Sequence, residues 1–88
     1  MPLVWIPTLM RELTGGEARV AVSGTSLREV LERLETAYPG IRERLCEGEE
    51  ISPHLAVVVD GELSRLRMHQ PLVEQSEVRF VPAMHGGV

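Results

Sequence analysis

The stretch RVAVSGTSLREVLERLETAYPG, residues 19–40, decides the fold, because its hydrophobic period changes partway along. Arg19-Val20-Ala21-Val22-Ser23 alternates as a half-buried strand does. After Gly24 the period becomes helical: Leu27, Val30, Leu31, Leu34 and Tyr38 recur at spacings of three and four, with Arg28, Glu29, Glu32, Arg33 and Glu35 opposite. Ser26 followed three residues later by Glu29 is a capping-box pattern, so the helix starts there. Pro39-Gly40 stops it.

Working outward, Val4-Trp5-Ile6 within Pro2 to Thr8 reads as a first strand, joined by a turn at Thr14-Gly15-Gly16 to the strand at Arg19. The two form an antiparallel hairpin. Beyond the helix, Ile41 to Leu45 adds one more turn, and Glu47-Gly48-Glu49-Glu50 reads as a polar loop. Leu55 to Val59 is a continuous apolar run ending at Asp60-Gly61, a strand followed by a turn. Leu63 to Arg67 returns as a short edge strand, Met68 to Leu72 is irregular with at most one helical turn, and Glu77 to Val81 is a last strand ended by Pro82. For that order the simplest packing is one main helix across one face of a mixed sheet, an α+β fold. A right-handed crossover then sets the last strand parallel beside the first, in the middle of the sheet. This is the β-grasp, or ubiquitin-like, arrangement. It predicts a single domain over residues 1–83 and a mobile diglycine tail, residues 84–88, projecting from a central strand.

Composition narrows the function. The chain has 88 residues and a net charge of -4, and it shows no basic cluster, which argues against nucleic acid. It has no apolar run of membrane-spanning length and no basic-flanked signal segment, so a cytoplasmic protein without membrane contact is expected. A single cysteine, Cys46, excludes an internal disulfide, and its acidic neighbours Glu47, Glu49 and Glu50 disfavour a thiolate. His54, His69 and His85 lack metal-ligand spacing, so no metal site is expected. All nine basic residues are arginine. A GC-rich genome accounts for this. A chain with an activated C-terminal acyl group also gains by lacking amine nucleophiles.

The tail, Ala83-Met84-His85-Gly86-Gly87-Val88, carries two residues without a Cβ, suited to entering a narrow slot against another protein's backbone. Taken with the element order, Val59-Asp60-Gly61-Glu62, Gln70-Pro71-Leu72 and Glu77-Val78-Arg79-Phe80-Val81-Pro82-Ala83 leading to Gly86-Gly87 resemble the ubiquitin-like sulfur carriers. That family includes the small subunit of molybdopterin synthase and the thiamine sulfur carrier. Ile6-Pro7-Thr8-Leu9, Arg11, Thr14-Gly15-Gly16, Tyr38-Pro39-Gly40-Ile41 and Glu43-Arg44-Leu45 look most like carriers of the actinobacterial cysteine-synthesis branch.

The resemblance implies a protein co-substrate and not an enzyme, with no catalytic residue and no bound cofactor of its own. ATP is used by its partner, a ubiquitin-activating-type adenylyltransferase, to adenylate the Gly87 carboxylate, which then becomes a thiocarboxylate. Gly86 and Gly87 thread the tail. The implied acceptor is a cysteine synthase-like enzyme or the large subunit of molybdopterin synthase. Two other roles follow from the same likeness: the small subunit of molybdopterin synthase, and a protein modifier that forms isopeptides. Val88 departs from the pattern, since such carriers end at the second glycine; it is either removed by a metallopeptidase or extraneous to the carrier. For docking, burial of Val4 and Ile6 under the helix turns Trp5 to the open face of the sheet, where Val81 and Val58 complete an apolar patch.

Overall fold

The computed structural model describes residues 1–83. Gly86, Gly87, Val88 and the rest of the expected tail lie outside the described residues. The order is β1 (Leu3–Trp5), a 3-10 helix (Thr8–Thr14), β2 (Arg19–Ala21), α1 (Leu27–Ala37), α2 (Ile41–Leu45), β3 (Cys46–Glu47), β4 (Glu50–Ile51), β5 (Leu55–Val59), β6 (Glu62–Leu63), a second 3-10 helix (Arg67–His69) and β7 (Glu77–Pro82). The five-stranded sheet runs β2-β1-β7-β5-β6. β7 lies parallel to β1, with Val4 opposite Val78, and antiparallel to β5, with Val57 opposite Phe80. The expected β-grasp topology, with the last strand central, is the observed one.

α1 closes one face of this sheet because its apolar stripe points that way. Leu27, Val30, Leu31 and Leu34 are fully buried against Val4, Ile6, Val57, Val78 and Phe80. Each such aliphatic side chain contributes roughly 1.5–3 kcal/mol of transfer free energy. The helix begins as its sequence requires: the Glu29 N–H donates to Ser26 Oγ at 3.2 Å. The returning arm of the cap is displaced by one residue, since Glu29 Oε1 accepts from the Thr25 N–H at 2.9 Å. Gly24 precedes this cap for a steric reason. A Cβ there would sit 2.7 Å from Val30 Cγ2 and 3.1 Å from the Val30 nitrogen, so only glycine lets the chain pass this close to α1.

Three local expectations are corrected. The link from β1 to β2 is longer than a turn, because Thr8–Thr14 winds into a 3-10 helix before Gly15 closes it at φ 65°. Buried Thr14 holds that corner, with Oγ1 at 3.1 Å from the Arg11 carbonyl and 2.8 Å from that of Glu17. The polar loop at Glu47–Glu50 is the tip of a small hairpin, β3 with β4, turning at Gly48 with φ 64°. The edge strand expected over Leu63–Arg67 ends after Leu63, because Arg67 takes a left-handed φ of 51° and turns its side chain inward. Its guanidinium donates to the carbonyls of Leu55, Ile51 and Ser52 at 3.1, 3.3 and 3.0 Å.

Glu35 supplies a second non-local tie. Its carboxylate accepts from the Gly40 N–H at 2.9 Å and the Arg42 N–H at 2.9 Å, binding the end of α1 to the start of α2. Those backbone donors, Gly40 first and then Arg42, hold its pKa below the ordinary 4.5. The depressed folded value means that this contribution is present in full above the unfolded pKa and is lost as pH falls through the folded one. Glu35→Gln is therefore expected to narrow the stability difference between neutral and acid pH, read as denaturant midpoints across that range. An unchanged acid limb would contradict this. Cys46 is buried, and burial pushes its thiol pKa up against the opposing pull of Arg42, so it is a packing residue.

Candidate functional site: the root of the tail and the open face of the sheet

β7 is flanked on both sides by hydrogen-bonded strands, and the pairing continues past its end: the Ala83 N–H donates to the His54 carbonyl at 2.9 Å. The last described residue is thus tied to the sheet.

The strand register places the expected docking residues on one face. Val4 and Ile6 are buried beneath α1, which turns Trp5 to the open side. Val78 and Phe80 are likewise buried, so Arg79 and Val81 share the face with Trp5. Val58 lies opposite Arg79 in the β5–β7 ladder and opposite Leu63 in the β5–β6 ladder. Trp5, Val58 and Val81 therefore share this face, with Arg79 on the strand between Trp5 and Val58 and exposed Leu63 at the edge strand.

The patch is nevertheless not the plain apolar one expected. The Arg79 guanidinium stands 4.0 Å from the centroid of the Trp5 ring, and that of Arg19, directly across from Trp5 in the β1–β2 ladder, stands at 5.3 Å. The indole N–H donates to Glu77 Oε1 at 3.0 Å, and Glu77 pairs with Arg79 at 3.8 Å. Alternation identified the face but not its neighbours, since cation–π contacts form between side chains distant in sequence. A shallow groove runs from Trp5 and Arg79 past Val81 to Pro7, Thr8 and Arg11. It lies at the end of the sheet where β7 finishes.

The remaining residues singled out in the sequence are dispersed. His54 precedes β5, His69 closes the second 3-10 helix and His85 is outside the described residues. Among the described residues no group of three or more His, Cys, Asp or Glu could hold a metal ion, and no helix is long and apolar enough to cross a membrane. The described residues supply an open sheet face with a shallow groove at the end of β7.

Residues 4–87 match the ThiS family. The chain is 33% identical to the sulfur carrier protein CysO of Mycobacterium tuberculosis, over 96% of each chain. The crystal structure of that organism's CysO, an antigen, superposes with a TM-score of 0.86 at 30% identity, covering 96% of this chain and all of the other. A crystal structure of the Amycolatopsis orientalis BexX/CysO complex gives a TM-score of 0.88 at 29% identity, covering 99% of this chain and 100% of the chain matched.

Proposed function

The chain belongs to the ThiS family, and from that premise we propose that it is a sulfur carrier for the biosynthesis of cysteine or a related sulfur metabolite, acting in the cytoplasm as a co-substrate. The observation that carries this reading is the conjunction of a β-grasp body, pinned as far as Ala83, with Gly86-Gly87 within reach beyond it. The likeness to CysO over nearly the whole chain supports the choice of cysteine metabolism over the molybdopterin branch.

The chemistry follows from the terminal carboxylate. A carboxylate is a poor electrophile, because its negative charge resists attack and oxide is a poor leaving group. A partner adenylyltransferase with ATP converts the Gly87 carboxylate to an acyl adenylate, releasing pyrophosphate. Sulfide then attacks the acyl carbon, the C–O bond to AMP breaks with AMP as the leaving group, and the product is a thiocarboxylate. The thiocarboxylate sulfur is in turn nucleophilic: it attacks a synthase-bound electrophile to give an acyl adduct, and hydrolysis at the acyl carbon then frees the sulfur-bearing product and returns the Gly87 carboxylate. Nothing in this sequence asks for an acid, base or metal on the carrier. Glycine at both threading positions lets bare backbone lie in the partner's slot. A peptidase that removes Val88 frees the reactive carboxyl.

Docking to the adenylyltransferase is assigned to the open face around Trp5, Val58 and Val81. Trp5→Ala is expected to weaken that binding by about 1–2 kcal/mol while leaving the fold intact, because aromatic anchors dominate such interfaces. Titration calorimetry with the adenylyltransferase, with circular dichroism as the check on folding, measures it. Unchanged affinity, or global unfolding, would remove Trp5 from the docking surface. The adenylation step on which the sulfur-carrier reading depends is tested separately by carrier-dependent exchange of pyrophosphate into ATP, which requires a chain ending at Gly87.

A further inference from the structure

We infer that Arg19 and Arg79, held against Trp5, read carboxylates on the surface of the adenylating partner, so that this carrier is selected by charge as well as by apolar fit. The inference rests on the sulfur-carrier reading and names the chemistry of the partner at that face.

Three observations carry it. The chain has a net charge of -4, yet Arg11, Arg19 and Arg79 gather around Trp5 at the end of the sheet from which the tail departs. Among the described residues neither Arg11 nor Arg19 forms an ion pair, and Arg79 has only Glu77, at 3.8 Å, whose carboxylate also accepts the indole N–H. Positive charge is therefore left over at this place on an acidic protein. Second, the guanidiniums of Arg19 and Arg79 lie against an aromatic ring, which limits the conformations that a partner must freeze. A fork held in place loses less entropy on gripping a carboxylate than a free one does. Third, the face is polarised. Glu77 and Asp60 stand at the start of β7, with Arg79 and Val81 following toward the tail. A uniform polyanion such as a nucleic acid meets repulsion at the acidic end. A protein surface that is acidic near its tail slot, basic further along and apolar over Val58 and Leu63 meets none.

The experiment uses the full domain cut after Gly87 and the adenylyltransferase of the source organism. Affinity is measured by titration calorimetry between about 50 and 300 mM salt, and adenylation by pyrophosphate exchange at saturating enzyme. Arg19→Glu and Arg79→Glu are each expected to raise Kd at low salt by about tenfold or more and to flatten its dependence on salt. Arg79→Lys, which keeps the charge but not the planar fork, is expected to fall between Arg79→Glu and the native chain. Arg33→Glu makes the same charge change on α1, across the molecule, and is expected to leave Kd unchanged. Circular dichroism checks that each variant is folded, and Arg79→Gln serves if Arg79→Glu is not. Unchanged affinity in both Arg19→Glu and Arg79→Glu, with normal adenylation of the unsubstituted chain cut after Gly87, overturns the inference and leaves the carrier reading standing. Equal loss in Arg33→Glu also overturns it, as does binding of a poly-dT oligonucleotide that competes with the enzyme. No exchange with the unsubstituted chain cut after Gly87, at any enzyme concentration, overturns the carrier reading itself.

Discussion

Incubated with its adenylating enzyme, ATP and a sulfur donor, the chain that ends at Val88 is expected to keep its mass, whereas the chain cut after Gly87 gains about 16 Da as one oxygen is replaced by sulfur. The contrast is all-or-none because it concerns which carbon is a free carboxylate. In the longer chain the Gly87 carbonyl is an amide to Val88, whose nitrogen is not displaced by ATP at a site built for a terminus. In the shorter chain the same carbon can take up AMP and then lose it to sulfur. Replacing Gly87 by a bulkier residue in the cut chain is expected to abolish the gain, since a Cβ would clash in a slot shaped for bare backbone. Thiocarboxylation of the longer chain with Val88 retained would contradict this account, as would a cut chain that is never modified by its own enzyme.

The largest effect on stability is expected at Arg67. Arg67→Ala removes a cation that three carbonyls share, those of Ile51, Ser52 and Leu55, and it unties the β4–β5 corner from the segment after β6. Hydrogen bonds to a charged donor are each stronger than neutral ones, but water can reach a half-buried site, so the loss is about 2–3 kcal/mol in all. Arg67 also sits at φ 51°, a conformation that costs a non-glycine residue roughly 1 kcal/mol. Arg67→Gly therefore loses the clamp but sheds that strain, and is expected to be less destabilised than Arg67→Ala by roughly that amount. Urea midpoints of the two variants and the native chain measure both terms. Equal stability of Arg67→Ala and the native chain would show that the clamp adds nothing.

The sheet, α1 and Arg67 mark what was legible in the sequence and what was not. The sheet and α1 were legible because burial on one face imposes a period: Val20 and Val22 at two, Leu27 to Leu34 at three and four. The last strand could be placed centrally from order alone, because a helix between strands forces a crossover. Arg67 could not be read in this way. Its partners lie 12 to 16 residues earlier, and a charged residue in a loop ordinarily signals solvent. Glu35 was assigned to the polar face of α1, where its spacing puts it, yet its carboxylate reaches forward to cap α2. The 3-10 helix at Thr8–Thr14 carries no periodic signal, and Leu9 stands almost fully exposed on it. At the candidate site, alternation puts Trp5, Val58 and Val81 on one face of the sheet, as the register does. It could not show that Arg19 and Arg79 close over the ring, because that depends on the register of three strands.

Sulfur delivery separates a carrier from a modifier, since both share the adenylation step. The direct measurement is a single turnover of the thiocarboxylated chain, residues 1–87, with its acceptor synthase and then a peptidase that hydrolyses the acyl adduct, followed by intact mass and by the label from isotopic sulfur. The account predicts that the carrier loses its added mass and that the label appears in a small-molecule product. Sulfur retained on the chain, or a chain joined by an amide bond to a lysine of another protein with the label released as sulfide, would contradict it.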